Sequence, residues 1–110
     1  MKQAVKREPE LGRVRVDVWL WRARFCKTRA AASRLVTEGG VRVIRDNLAR
    51  RRDKASATLA CGDTLVFPQE GGLRMVRVEQ LGVRRGPPTE ARTLYSDLED
   101  QLRARLDGLS

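Results

Sequence analysis

The chain of 110 residues contains no histidine, two cysteines and five aromatic side chains. Without histidine there is no imidazole to serve as general base or as a zinc ligand. Cys26 and Cys61 are far apart and belong to no CxxC pair, so the four ligands of a structural zinc site are missing. They read as free thiols in a reduced, cytoplasmic protein. No Gly-rich cofactor fingerprint and no acid/base pair beside a pocket motif occurs, so neither cofactor nor metal is expected. No apolar run approaches the length of a membrane span, and the N-terminal stretch has no apolar core of a signal peptide. These absences turn attention from bond-breaking to binding.

What the chain does have is positive charge. It carries 23 Lys and Arg against 14 Asp and Glu, a net +9. The imbalance is local: residues 1–60 hold 16 cations and 6 acids, residues 61–110 hold 7 and 8. The first half is therefore the electrostatic footprint, of the kind that suits nucleic acid or an anionic membrane surface. Arginine dominates, and its planar fork matches phosphate oxygens in pairs. A hydrophobic fraction of 41% is enough for one modest core.

The organisation follows from periodicity. Residues 1–12 mix charge with Pro9 and Gly12 and are expected to form a disordered basic arm. Val16 and Asp17 open a helix running to about Phe25, with Val16, Leu20 and Ala23 on one face and Trp21 and Phe25 on a second strip. Cys26 and Lys27 make a turn. Thr28 suits the N-cap of a second helix whose buried stripe is Ala31, Ala32, Leu35 and Val36. Gly39-Gly40 ends it. From Val41 the period becomes two. Val41–Val43 is a strand, and residues 45–54 read as a long basic connection with a turn at Asp46-Asn47. Strands at Thr64–Phe67 and Arg74–Leu81 are joined at Gly71-Gly72. After a basic connector over 84–88, Thr89 is expected to cap a final helix to about Leu106. Its Leu94, Leu98, Leu102 and Leu106 repeat every four residues. The expected fold is α+β: a helical hairpin packed on a small antiparallel sheet, with a C-terminal helix.

The Lys27-Thr28-Arg29 turn exposes the N-terminus of the second helix, where free amides and the macrodipole favour an anion. Arg15 opens helix one, and Arg42 lies on the strand after helix two. A strand returning beside the hairpin would gather these into one basic face. Arg50, Arg51 and Arg52 read either as a loop without a fixed partner or as phosphate contacts. Asp17 reads first as a helix cap or salt-bridge partner. Trp21 and Phe25 read as core before they read as base-stacking groups.

The order Arg-x-Asp-x-Trp-Leu-Trp, then Arg-Phe-x-Lys-Thr-Arg, then Gly-Gly-x-Arg-Val resembles the S4 RNA-binding domain, the alpha-L motif. Trp19-Leu20-Trp21, Arg24-Phe25 and Arg84-Arg85-Gly86-Pro87 make it most similar to the heat-shock protein 15 family. The resemblance spans about Arg15 to Tyr95 and implies an S4-type domain over 13–83, with connector and helix over 84–110. It implies a non-enzymatic protein that binds structured RNA, namely ribosomal RNA of the large subunit, and assists recycling of stalled subunits carrying peptidyl-tRNA. Carried onto this chain, the RNA-binding residues would be Arg15, Asp17, Lys27, Thr28, Arg29, Ser33, Arg34 and Arg42, with Arg45, Arg50, Arg51 and Arg52 added by charge. Two departures stand out. The tight Asn-Gly hairpin usual after the first strand is replaced by the basic run, and the C-terminal end is acidic, at Asp97, Glu99, Asp100 and Asp107. Two other function classes remain: an accessory module for an RNA-modifying enzyme, and a helix-turn-helix-like DNA binder.

Overall fold

The computed structural model describes residues 12–108, so the arm expected over 1–12 lies, up to residue 11, outside the described residues. The elements run β1 (Val14–Arg15), α1 (Val16–Arg22), α2 (Arg29–Glu38), β2 (Val41–Arg45), β3 (Leu48–Arg52), β4 (Thr58–Leu59), β5 (Thr64–Gln69) and β6 (Gly72–Val78). Then come α3 (Pro88–Ala91), a 3-10 turn (Arg92–Leu94), β7 (Tyr95–Asp97) and α4 (Glu99–Gly108). The large sheet has order β3-β2-β5-β6-β7, and every neighbouring pair is antiparallel. A second ribbon, not foreseen from sequence, pairs β1 with β4.

α1 is short because its end is sharply built. Arg24 takes a left-handed φ of 67°, Arg24 N donates to Trp21 O, and Phe25 N donates to Leu20 O. That is the Schellman arrangement, here without glycine, and it stops the helix three residues before the expected Phe25. Val16, Trp19, Leu20 and Ala23 are buried, as expected for one face. α2 is capped by Thr28, whose hydroxyl accepts from Ala31 N at 3.0 Å. It buries Ala32 and Val36 and half-buries Ala31 and Leu35.

The core lies between the α1–α2 pair and one face of the sheet. Val41, Val43, Leu65, Phe67, Val76 and Val78 are all at most 2% exposed. Burying such side chains contributes about 1.5–3 kcal/mol each before chain entropy is charged against it. Phe25 swings off the end of α1 into an aromatic cluster, with ring centroids 5.0 Å from Phe67, 4.6 Å from Tyr95 and 5.9 Å from Trp19.

Three expectations are corrected. Residues 45–52 are not a long connection. Asp46 and Asn47, with φ of 54° and 64°, form a two-residue turn, and Arg45 pairs with Leu48 across it. Positive φ at both central residues is the hairpin turn that matches strand twist, and Asp and Asn tolerate it better than most non-glycine residues. The tight hairpin is thus present with Asp-Asn in place of Asn-Gly. The single helix from Thr89 to Leu106 is also absent. Pro87 is the N-cap of a four-residue helix, and Tyr95–Asp97 adds a strand to the sheet edge beside β6. The fourfold leucine spacing is therefore not one stripe: Leu94 is buried from the 3-10 turn, Leu98 from the link between β7 and α4, and Leu106 is 45% exposed. The β6 strand also starts and ends earlier than expected, at Gly72 and Val78.

Asp63 is buried at the turn into β5. It accepts a fork from Arg45, 2.9 and 2.6 Å, and the Ala60 amide at 2.9 Å. Burial alone would push the carboxyl up, but these donors and the positive charge of Arg45 hold it below its ordinary 3.8. A carboxyl lowered in the fold stabilises the fold above its unfolded value, and that contribution disappears as pH falls through the folded value. Asp63→Asn should therefore melt below the wild type at pH 6. The gap should close as pH drops below about 4, as followed by circular dichroism melts.

Candidate nucleic-acid interface

The turn from Ala23 to Thr28 carries Lys27, Thr28 and Arg29 outward, all exposed. Among the described residues neither Lys27 nor Arg29 has a carboxylate partner. The capped first turn of α2 directs its amides to the same place, so full charge and helix dipole coincide. Ser33 and the exposed Arg34 continue outward along α2, opposite the buried Ala32 and Val36.

Arginines anchor this turn from behind. Arg85 donates through Nε to Trp21 O, 3.1 Å, and through Nη2 to Cys26 O, 3.4 Å. Arg22 Nη1 donates to Gly82 O at 2.8 Å, and Arg24 Nε to Gly86 O at 2.6 Å. The connector expected to be merely basic and rigid is therefore laced to the end of α1. Gly86 is buried beneath the Glu90 side chain, where a Cβ would collide with it. Trp21 has two guanidinium groups near its ring, Arg29 at 5.8 Å and Arg85 at 5.9 Å from the centroid. It is half-buried and packs against the core. Arg85 and Arg24 were absent from the expected set. The Arg-Arg-Gly-Pro run marked the place, but which helix it would meet depends on a separation of about 60 residues.

The other expected residues disperse. Arg15 forks onto Asp17, 3.0 and 2.8 Å, and that hydrogen-bonded ion pair raises the guanidinium further above its ordinary value. Asp17 is 2% exposed, so its carboxylate orients Arg15 and has little surface for a ligand. Arg45 is held by Asp63. Arg42 does not join the helical face. Side chains alternate along β2, and with Val41 and Val43 buried inward, Arg42 emerges on the opposite side, near Leu102 of α4. Arg51 is its cross-strand partner, whereas Arg50 and Arg52 pair with Val43 and Val41. The run 50–52 is thus split between the two faces. Among the described residues, Lys27 and Arg29 stay together at the α1–α2 turn without a carboxylate partner, and Arg50 and Arg52 do so on one face of β3. Burial raises the Cys26 thiol, which makes it a packed side chain and not an activated nucleophile.

With this geometry, the chain compares closely with known proteins. The family model of the S4 domain matches residues 14–43, from β1 to β2. The heat shock protein 15 homolog of Aeromonas salmonicida is 33% identical over 94 residues, covering 86% of this chain and 67% of that protein. The chain belongs to the heat shock protein 15 family. Heat shock protein 15 of Escherichia coli K12 is 35% identical over 92 residues, and the chain spans 65% of its length. The solved structure of the family member from Vibrio cholerae, described as trimeric, superposes with a TM-score of 0.71 at 29% identity. That match covers 87% of this chain and 92% of the other. The fold is the S4 type that the family shares. Among the described residues no helix is long and apolar enough to cross a membrane, and no cluster of three or more metal-ligating side chains occurs.

The clamp makes a specific prediction. Arg85→Lys keeps the charge but cannot bond two carbonyls through one planar group. RNA affinity should fall severalfold while the dependence of binding on salt keeps its slope, because Arg85 positions the turn and does not itself meet phosphate. Filter binding across a salt series checks this.

Proposed function

We propose that this chain binds structured RNA, and specifically ribosomal RNA of the large subunit, as a non-enzymatic protein of the cytoplasm. It assists recycling of stalled subunits carrying peptidyl-tRNA. The observation that carries the reading is the capped turn at Thr28, where Lys27 and Arg29, without a carboxylate partner among the described residues, stand over the first helix amides while Arg85 fixes the turn behind them. This surface can grip phosphates in a fixed arrangement without reading base edges, which suits recognition of a folded RNA by shape. Ser33 and Arg34 extend the grip along α2. Arg15, held by Asp17, is proposed to meet phosphate from the side of β1. Arg50 and Arg52 are proposed as weaker, longer-range attraction, and Arg42, Arg45 and Arg51 as minor.

Sedimentation through a sucrose gradient tests the reading. The protein is expected in large-subunit fractions, enriched when the subunits carry peptidyl-tRNA. Protein that stays at the top of the gradient under both conditions would refute the ribosomal reading.

A further inference from the structure

Beyond the turn, the fold forms a second cationic recess of about 230 Å³. Half-buried Phe25, Arg74 and Tyr95 line it together with the exposed Arg24, Glu70 and Arg92. Its chemistry is mixed in a particular way. Arg74 lies 4.8 Å from the Phe25 ring centroid and 5.6 Å from that of Tyr95. Its nitrogens donate to Gln69 Oε1 at 3.1 Å and Asp97 Oδ2 at 2.9 Å, so the guanidinium plane is held in place. That makes a rigid wall of aromatic and guanidinium faces. Arg24 spends only Nε, on Gly86 O, and Arg92 has no hydrogen-bond or carboxylate partner among the described residues. Two exposed guanidinium groups therefore have donors to spare. Glu70, on the tight turn between β5 and β6, contributes only acceptors.

Two aromatic rings tilted at 51° with a guanidinium against both, exposed guanidinium groups with spare donors and a carboxylate acceptor make up the set that a nucleotide meets: ring stacking, phosphate contact and a partner for an exocyclic amine. The recess is too small for a duplex. It is also linked to the turn through hydrogen bonds and ring contacts. Arg29 and Arg85 both lie against the Trp21 ring, and the carbonyl of the residue after Arg85, Gly86, holds Arg24. Arg24 is four residues from Thr28, at most about 15 Å along the chain, within reach of a few nucleotides of backbone.

Resting on the reading above, we propose that this recess takes one unpaired nucleotide of the RNA whose phosphates sit on the α1–α2 turn. Its base stacks on the Arg74–Tyr95 wall and its phosphate meets Arg24 and Arg92.

The test is an amide chemical-shift titration of the full chain with two probes: a single-stranded hexaribonucleotide of alternating A and C, and a blunt RNA duplex. The hexamer should move the amides of residues 24–25 and 91–95 together with those of 27–29, and the duplex only those of 27–29. Arg92→Ala changes an exposed side chain. Losing its charged phosphate contact should weaken the hexamer about tenfold and the duplex less than twofold. Unmoved 91–95 amides with the hexamer, or an equal loss for both probes in Arg92→Ala, would overturn the recess while leaving the turn standing. Movement at 91–95 with 27–29 silent would instead fault the turn and uphold the recess.

Discussion

Replacing Lys27 and Arg29 together by alanine is expected to weaken binding to structured RNA about 100-fold, since each charge-assisted contact contributes about 1.5 kcal/mol or more. The same variant should flatten the plot of log affinity against log salt by about 1.5 units, as two phosphate contacts no longer release counterions. The two readouts belong together. A side chain that merely shaped the turn would lower affinity at constant slope, as expected for Arg85→Lys. Both residues are exposed and lack partners among the described carboxylates, so the melting temperature should stay within a degree or two. An unchanged affinity would move the contact surface elsewhere, and the dispersed arginines of β2 and β3 would be the next place to look.

The largest effect on stability is expected at Trp19. It is fully buried, its indole Nε1 donates to Gln80 O at 2.9 Å, and its ring lies against Phe25. It therefore joins α1 to the end of β6 and to the aromatic cluster at once. Trp19→Ala removes the largest of the fully buried side chains and the indole hydrogen bond to Gln80 O, costing about 4–5 kcal/mol. For a domain of this size that is a fall of about 20 °C or more in melting temperature. Trp19→Phe should lose less than half as much, because most of the volume stays and only the indole hydrogen bond and one ring are lost. Thermal melts of the pair separate packing from hydrogen bonding. Equal losses would mean that the Gln80 contact dominates.

The parts of the fold that could be read from sequence are those set by local chemistry. Thr28 as cap, the buried stripe of α2, the glycine stop at Gly39-Gly40 and the strands around Val43, Leu65 and Val76 depend on neighbours a few residues away. The parts that could not be read depend on distant ones. Asp46-Asn47 is a recognisable turn pair, but the arginine run beside it hid a strand, because a strand at a sheet edge needs no apolar side chains of its own. Leu94, Leu98, Leu102 and Leu106 matched helical spacing by coincidence. The open edge of β6 recruited Tyr95–Asp97 as a strand instead, a contact between residues about twenty apart. In the candidate site the turn itself was legible, whereas the sidedness of Arg42 and Arg51 required the strand register, and the hold of Arg85 on α1 required the tertiary fold.

The outermost strand of the sheet, β3, has consequences for how copies of this chain coexist. It offers a row of main-chain groups to solvent, an invitation for another molecule to extend the sheet. Arginine at positions 50, 51 and 52 answers that invitation with repulsion from both sides of the strand. The opposite margin, β7, is only three residues long and offers little to copy. The same alternation that divides these guanidinium groups between the two faces of the strand thus works against fibrillar self-association when concentration or temperature rises.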